Sequence, residues 1–281
     1  MMSAYIASNG VSIPSFMYGT AWKKGTTAQL VELAVSSGFR AIDTANQIIH
    51  YHEALVGEAL LTLAGQGIKR DSLFLQTKFT PVGGQDHRTP YDPSKPISEQ
   101  VEQSFRSSLE HLHTDYIDSY VLHGPYSRGG LGAEDWEVWA TLEKLYESGT
   151  VKMIGVSNVT AGQLRLLCDK AKIQPMVVQN RCYAAFGWDK DVREICNMHK
   201  IIYQGFSLLT ANQDVWIDPT IRSIAQRVGA GPAQVIFRFS QQIGMLPLTG
   251  TTDADHMKED LRIEEFELTP EEVDHIEKIA M

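Results

Sequence analysis

The sequence predicts an α/β protein that folds as a single (β/α)8 TIM barrel, with one domain over residues 1–281. Short apolar runs alternate with amphipathic stretches, and each pair takes roughly 30 residues, which is typical of repeated βα units with parallel strands. Eight such pairs occur, and no linker or change in composition interrupts them. Closing eight parallel strands removes the exposed sheet edges, and the active site of such a barrel lies at the C-terminal face of its strands.

The strands are predicted from eight short apolar runs, each bounded by polar or turn-forming residues. They occupy residues 15–21, 39–45, 73–79, 116–124, 153–158, 176–180, 201–209 and 245–250. The two least regular connections, residues 81–96 and 124–135, are rich in Gly and follow strands directly. Since both fall at the face where barrel sites lie, they are candidates for the wall of a pocket as well as for solvated connectors.

The helices are predicted from apolar residues that recur at helical spacing between the strands. They occupy residues 27–37, 52–64, 97–112, 136–148, 160–172, 189–198, 219–244 and 253–261. The stretch 219–244 is divided after Gly229, because Pro232 fits the first turn of a new helix. A last helix is expected after Thr269, which is a favourable N-cap, with Pro270 in the first helical position.

The composition restricts the class of protein. Hydrophobic residues make up 43% of the chain, enough for a large core, and the formal charge of −9 is not concentrated in blocks. This balance disfavours a nucleic-acid or anionic-membrane surface. The N-terminal residues lack a basic start with a following apolar run, and no stretch of about eighteen apolar residues occurs. The three cysteines form no C-x-x-C pair, so we expect reduced thiols in a cytoplasmic protein.

Polar residues stand at the ends of four predicted strands. Asp43, Lys78 and His123 each follow an apolar run, and Ser157 with Asn158 follows another. Buried aspartate and lysine are rare unless they are paired. Taken alone, His123 is more often a packed core residue and Asp43 more often a helix N-cap. Because all four positions are equivalent in a barrel, together they predict an active site.

These residue types suggest a proton donor held beside a cation. A tyrosine phenol has a pKa near 10, which is too high for an efficient acid at neutral pH. A Lys78 ammonium about 4 Å from Tyr51 would favour the phenolate by about 4 kcal/mol, or about three pKa units. Asp43 would hold Lys78, and His123 would orient a carbonyl oxygen by hydrogen bonding. Reduction of a carbonyl group also needs a hydride. No side chain can deliver one, so this chemistry requires a nicotinamide cofactor.

Several motifs, in their order along the chain, resemble those of the aldo-keto reductase superfamily. They are GFRAIDTA with the later VGEAL, LFLQTKF, DYIDSYVLHGP, ESGTVKMIGVSN, VVQN, FSLL and GPAQVIFRF. The resemblance covers nearly the whole chain. It implies NAD(P)H-dependent reduction of an aldehyde or ketone to an alcohol, with Asp43, Lys78 and His123 in the catalytic set.

The same resemblance implies a set of cofactor-binding residues. Ser157, Asn158 and Gln179 match the positions that hydrogen-bond the nicotinamide carboxamide, and Phe206 stands where the family usually stacks a tyrosine on the nicotinamide ring. The other positions assigned to the cofactor are Gly19, Thr20, Asp43, Ser207, Leu209, Thr249, Gly250, Thr251, Thr252, His256 and Asp260. No metal ligand is assigned.

The position of the catalytic tyrosine departs from the family pattern D-T-A-x-x-Y-G-x-E. Five residues after Asp43 the chain has Ile48, and the segment QIIHYHE looks two residues longer. Counting back from Glu53 places His50 opposite the tyrosine and Tyr51 one residue later. Tyr51 is the expected acid because only it is a phenol, and His50 is the alternative.

The segment expected to bind the adenosine end of the cofactor departs as well. Many members carry I-P-K-S followed by an arginine, and these residues grip the 2′-phosphate of NADPH. Here Leu248 replaces the lysine, and His256 falls opposite the arginine. Threonine hydroxyls and backbone amides of the next helix could still bind phosphate. The superfamily favours NADPH, whereas the lost charge leaves NADH possible.

The substrate and two alternative functions stay open. Many members extend past the last helix with a loop over the substrate, so an open pocket lined by Trp22 and Tyr126 is expected here. Such a pocket would admit varied small-molecule carbonyls. Lys78 could instead be a Schiff-base nucleophile, although Asp43 disfavours this by stabilising the charged form. The other alternative is a cofactor-binding regulatory subunit with little turnover, and a monomer is the default expectation.

Overall fold

The computed structural model describes residues 4–280, and in this part of the chain eight parallel strands close into a barrel. Two further strands form an antiparallel hairpin ahead of it. The hairpin strands are β1 (Ala4–Ile6) and β2 (Ser12–Pro14), and the barrel strands are β3 (Met17–Gly19), β4 (Ala41–Asp43), β5 (Phe74–Phe79), β6 (Ser119–Leu122), β7 (Ile154–Ser157), β8 (Val177–Arg181), β9 (Ile202–Phe206) and β10 (Met245–Thr249). Each barrel strand pairs with the next along the chain, and β10 pairs with β3, so the predicted (β/α)8 barrel is confirmed.

The hairpin of β1 and β2 covers the N-terminal end of the barrel, and the sequence did not predict it. The Tyr5 hydroxyl donates to the carbonyl of Met245 at 2.6 Å, and Ile13 is fully buried in an apolar cluster with the interior residues Met17 and Val121. Each hairpin strand has only three residues, which is too short for an alternating pattern to stand out. With this end closed, the strands open towards solvent at their C-terminal ends.

Ten α-helices occur within residues 4–280 and surround the barrel. They are α1 (Thr27–Ser37), α2 (Glu53–Gly65), α3 (Ile97–His111), α4 (Ala133–Glu147), α5 (Ala161–Lys170), α6 (Lys190–His199), α7 (Pro219–Val228), α8 (Pro232–Gln242), α9 (Ala254–Asp260) and α10 (Pro270–Lys278). The predicted break after Gly229 is confirmed, since Gly229 has a φ of 69° and Pro232 begins α8. Thr269 caps α10 as predicted, because its hydroxyl accepts a hydrogen bond from the N–H of Glu272 at 3.3 Å.

Helix α4 begins earlier than predicted. It starts at Ala133 instead of residue 136, and the Asp135 carboxylate accepts hydrogen bonds from the N–H of Gly132 at 2.9 Å and of Tyr126 at 2.8 Å. An acid in the first helical turn therefore replaces the side-chain N-cap that sequence signals emphasise. The same contacts hold the connection after β6 against the helix and fix Tyr126 at the rim of the barrel.

Side chains point alternately into and out of the barrel along each strand, and this places several polar side chains inside it. On β5, Gln76 and Lys78 point inward and contact Asp43 of β4. Thr77, between them, points outward and donates to Glu53 on α2. Asp43 lies in register with Gln76, so the three inward polar groups form a layer above the apolar cluster at the closed end.

The cysteines and the helix lengths bear on the expected environment. Cys168, Cys182 and Cys196 are free and buried. Burial raises the pKa of Cys168 to about 11 and that of Cys182 to about 12, so both thiols stay protonated near neutral pH. No helix within residues 4–280 combines the length and the apolar character needed to cross a bilayer.

The contact between α2 and the end of α3 gives a test of the fold. A Cβ added at Gly57 would lie 1.8 Å from the carbonyl oxygen of His111, whereas a Cβ at Gly65, in the same helix, would meet nothing within 4 Å. We expect Gly57→Ala to lower the free energy of unfolding by about 1–3 kcal/mol through overpacking. Gly65→Ala is the matched control and should leave it unchanged or slightly raised. Urea denaturation followed by circular dichroism measures both, and equal stability of the two variants would contradict this packing.

Candidate active site

A large cavity of about 1250 Å³ opens at the C-terminal ends of the barrel strands. Both irregular connections, after β5 and after β6, contribute to its wall, as the sequence suggested. The predicted site residues that line it are Gly19, Trp22, Asp43, Tyr51, His123, Tyr126, Ser157, Asn158, Gln179, Phe206, Ser207, Leu209, Thr249, Gly250, Thr251, His256 and Asp260. The structure thus brings most of the residues selected from the sequence to one cavity.

Three predicted site residues do not line the cavity. Lys78 is fully buried beneath it. Thr20 is also fully buried, and its hydroxyl donates to the backbone carbonyl of Asp43 at 2.9 Å. Thr252 is exposed and lies outside the cavity wall. Thr20 therefore supports the position of Asp43, whereas nothing in the structure connects Thr252 with the site.

Lys78 and Asp43 form a buried ion pair at the floor of the cavity. The Lys78 Nζ donates to Asp43 Oδ1 at 2.7 Å, to Asp43 Oδ2 at 2.8 Å and to the carbonyl of Thr44 at 2.8 Å. Burial lowers the pKa of Lys78, while the charge of Asp43 and its hydrogen bonds oppose this shift. All three ammonium protons have acceptors, which leaves no free lone pair on Nζ and argues against the Schiff-base alternative.

A group of glutamines holds the Asp43 carboxylate from the other side. Asp43 Oδ1 accepts from Gln76 Nε2 at 2.8 Å and from Gln179 Nε2 at 3.0 Å. Gln204 accepts from both of these amides and donates back to Gln76 at 3.0 Å. Sequence reasoning missed Gln76 and Gln204. The sequence feature that could have identified them is a glutamine at an inward position of an apolar run, in LFLQTKF for Gln76 and in IIYQGF for Gln204.

Tyr51, and not His50, lies beside the ion pair. The ring of Tyr51 has its centroid 5.2 Å from Lys78 Nζ, and it meets the ring of His123 edge-on with centroids 5.8 Å apart. His50 instead packs against Trp22 at 4.1 Å between ring centroids, and its Nδ1 lies 2.8 Å from Gln47 Oε1. Of the two residues that the sequence left open, Tyr51 is therefore the one in contact with both the ion pair and His123.

The expected lowering of the phenol pKa by Lys78 is wrong. The pKa of Tyr51 is raised, first by enclosure of the phenol away from water and then by the negative charge of Asp43. Asp43 lies at hydrogen-bond distance from Lys78, and its negative charge offsets the effect of the ammonium on the phenol. The phenol therefore remains protonated at neutral pH.

His123 is held neutral in the wall of the cavity. Burial lowers its pKa to about 3, with smaller contributions from the charges of Lys78 and His50. Its Nδ1 hydrogen-bonds the Thr80 hydroxyl at 2.7 Å, which leaves Nε2 for other partners. Sequence reasoning missed Thr80. It follows the end of β5, two residues after Lys78, and β5 is the neighbour of the strand that precedes His123.

The residues after β7 offer polar groups to the cavity. The Ser157 hydroxyl donates to the carbonyl of Gln179 at 2.6 Å. Asn158 donates through Nδ2 to the carbonyl of His123 at 2.8 Å and to Ser157 Oγ at 3.2 Å. The Asn158 Oδ1 atom accepts no hydrogen bond from the described residues. An amide oxygen at the cavity surface can therefore accept a hydrogen bond from a ligand.

The connection after β10 forms the far end of the cavity. Asp260 is buried there and accepts from Gln234 Nε2 at 2.8 Å, and burial raises its pKa to about 6. Lys23, from the turn after β3, donates through Nζ to the carbonyl of Gly250. Sequence reasoning missed Lys23, since a lysine in an exposed turn has no distinguishing pattern.

A family model described as Aldo/keto reductase family matches residues 16–281. The chain belongs to the aldo/keto reductase family. The resemblance inferred from the sequence motifs is thereby confirmed. Membership of this family supports the assignment of the chain as an oxidoreductase of carbonyl groups, and the family generally uses nicotinamide cofactors.

Individual relatives agree with this assignment. The chain is 30% identical over 276 residues to the 9,11-endoperoxide prostaglandin H2 reductase of Trypanosoma cruzi (strain CL Brener), which is 96% of this chain and 89% of that protein. It is 31% identical over 274 residues to the glyoxal reductase of Bacillus subtilis (strain 168), with 96% and 90% covered.

Two solved structures have the same fold. The aldo/keto reductase from Brucella melitensis matches with a TM-score of 0.85 at 29% identity, over 99% of this chain and 100% of that chain. The aldose reductase from Schistosoma japonicum matches with a TM-score of 0.85 at 24% identity, over 99% and 92%, and supports the fold alone.

The environment of His123 in this aldo/keto reductase predicts its protonation. We expect the ring to stay neutral between about pH 5 and pH 8, because burial and the charge of Lys78 disfavour the imidazolium. Two-dimensional 1H–15N NMR of the imidazole nitrogens reports this directly. The urea-unfolded chain is the control, in which histidines titrate near pH 6.5. A midpoint near 6.5 for His123 in the folded protein would contradict the buried, neutral assignment.

Proposed function

We propose that this chain catalyses NAD(P)H-dependent reduction of an aldehyde or ketone to an alcohol, with Tyr51 as the general acid. The observation that carries the proposal is that the Tyr51 ring, in the wall of the cavity, lies close to both the buried Lys78 ammonium and the neutral His123 imidazole. A bound reduced nicotinamide supplies the hydride that no side chain can deliver.

The protein's own residues then manage the proton. Tyr51 donates its hydroxyl proton to the carbonyl oxygen of the substrate as negative charge develops there, and solvent later restores it. The phenol carries its proton at neutral pH, and its raised pKa opposes the transfer, so the phenolate needs stabilisation as it forms. Lys78, 5.2 Å from the ring centroid, stabilises the phenolate that remains. Neutral His123 orients the carbonyl oxygen with an Nε2–H donor, which requires that its Nδ1 accepts from Thr80.

The cavity fits a nicotinamide cofactor together with a substrate. Its volume of about 1250 Å³ exceeds the roughly 300–1,000 Å³ typical of a site for one small ligand. Asn158 Oδ1 is a free acceptor for a carboxamide N–H, and the half-buried aromatic side chain of Phe206 lines the same cavity. Ser207 and Leu209 are the proposed contacts of the diphosphate. The family resemblance favours NADPH, with NADH as the alternative.

The proposed substrate is a small-molecule carbonyl compound held near Trp22 and Tyr126. Trp22 is 65% exposed at the mouth, and the buried Tyr126 hydroxyl has no hydrogen-bond partner among the described residues. An unpaired buried hydroxyl is costly, so a polar substrate atom is its expected partner. A cytoplasmic monomer that binds neither nucleic acid nor membrane completes the proposal.

Replacement of Tyr51 tests the assignment of the acid. We expect Tyr51→Phe to lower kcat for oxidation of NADPH or NADH on an aldehyde panel by about 100-fold or more, because positioned proton transfer contributes 10²–10⁴-fold. Cofactor affinity, measured by quenching of protein fluorescence, should be retained. His50→Gln is the matched control and should keep most of the activity.

Three outcomes separate the alternatives. Loss of turnover in Tyr51→Phe alone supports the tyrosine acid. Loss in His50→Gln with normal turnover in Tyr51→Phe would move the proton donor to His50. A wild-type chain that binds cofactor and turns over no carbonyl would support the regulatory-subunit alternative.

A further inference from the structure

The far end of the cavity, between the turn after β10 and helix α9, bears on which nicotinamide cofactor fits. Under the proposed function, the family resemblance assigns the adenosine ribose to this end, where NADPH carries a phosphate and NADH a hydroxyl. Leu248 and His256 stand where many members of the family carry a lysine and an arginine, and both line the cavity. Positions 248 and 256 therefore carry neither of the two cationic side chains that would bind a 2′-phosphate.

The start of α9 does not replace them, because Asp253 already occupies it. The Asp253 Oδ1 atom accepts hydrogen bonds from the N–H of Asp255 at 2.8 Å and of His256 at 3.0 Å. These backbone hydrogen bonds lower the pKa of Asp253, so the cap carries a full negative charge at neutral pH. Two of the helix N–H groups that could bind phosphate are therefore satisfied by a carboxylate, and a second anion would be repelled.

The threonines of the turn are engaged in local contacts as well. The Thr251 hydroxyl accepts from the N–H of Asp253 at 3.2 Å, and the Thr249 hydroxyl accepts from the N–H of Thr251 at 3.4 Å. These contacts still let each hydroxyl donate. The two threonine hydrogen bonds stabilise this turn. In this conformation the turn has more hydrogen-bond acceptors and acidic groups than positive charges.

The charges around this end are mostly negative. Glu259 and Asp260 line the cavity, and Asp253 and Asp255 stand at the start of α9. Lys258 pairs with Asp255 at 3.3 Å, so these two charges offset each other and Asp253, Glu259 and Asp260 remain. Lys23 is the cation that remains at this end among the described residues, and it is bonded to the carbonyl of Gly250.

We propose that this chain binds NADH in preference to NADPH, and that the acidic start of α9, with Leu248 in place of a cation, sets the preference. A phosphate monoester carries close to two negative charges at neutral pH. It cannot donate to a carboxylate, whereas the ribose 2′-hydroxyl of NADH can donate to Glu259 or Asp260. Lys23 binds the diphosphate, which both cofactors share.

Equilibrium binding of the two reduced cofactors tests this directly. Isothermal titration calorimetry of the full chain should give a Kd for NADH at least about tenfold below that for NADPH at neutral pH and low salt. Added salt should narrow the gap, because screening weakens repulsion between like charges. Equal or tighter binding of NADPH would overturn the proposal. If neither nucleotide binds, the reductase proposal falls together with it.

Charge variants identify the source of the preference. Asn caps helices as well as Asp does, so Asp253→Asn removes the charge and keeps the cap, and we expect it to narrow the NADH-to-NADPH affinity ratio several-fold. Leu248→Lys should narrow the ratio by about tenfold, as expected for one charge-assisted hydrogen bond. Leu248→Met is the matched neutral control and should leave the ratio unchanged. An unchanged ratio in both Asp253→Asn and Leu248→Lys would overturn the electrostatic origin.

Lys23 provides the remaining check. If it binds the shared diphosphate, Lys23→Met weakens NADH and NADPH equally and the ratio stays constant. A loss that is at least about tenfold larger for NADPH would show that Lys23 holds the 2′-phosphate, and the proposal would then be wrong.

Discussion

The buried ion pair between Lys78 and Asp43 is the interaction on which the rest of the site depends. An ammonium and a carboxylate withdrawn from water persist only when hydrogen bonds replace the lost solvent. Here the ammonium has three acceptors, and the carboxylate also accepts from Gln76 and Gln179. Removal of one charge alone from such a pair typically costs about 3–5 kcal/mol. The ion pair therefore requires the hydrogen-bonded glutamines Gln76, Gln179 and Gln204. These glutamines fix the position of the cavity floor.

The same pair determines the electrostatics of the groups above it. Burial and the negative charge of Asp43 raise the pKa of Tyr51, and burial together with the charge of Lys78 lowers the pKa of His123, so both side chains are neutral. Two neutral hydrogen-bond donors beside a dipolar ion pair can bind a neutral carbonyl without a large desolvation penalty. Under the proposed function, the lysine acts on the phenolate as it forms, rather than on the resting phenol.

The sequence predicted the barrel and part of the site for physical reasons that differ from residue to residue. Strands buried on both faces leave continuous apolar runs, and ionisable residues at their ends, such as Asp43 and Lys78, stand out. Gln76 and Thr80 were missed because an uncharged polar residue beside an apolar run is common. The choice between Tyr51 and His50 depended on how an irregular loop folds. The direction of the Tyr51 pKa shift required the Asp43 to Lys78 distance, which no sequence pattern contains.

The most direct test of carbonyl reduction at this site is a single turnover with reduced cofactor that carries deuterium at both hydrogens of nicotinamide C4. The chain is mixed with this cofactor and an aldehyde in ordinary water, and the product is analysed by NMR. We expect one deuterium on the carbinol carbon, because under the proposed function the cofactor supplies the hydride; the hydroxyl hydrogen exchanges with water and carries no label. An alcohol without deuterium, or bound cofactor that yields no alcohol from any aldehyde or ketone, would contradict hydride transfer at this site.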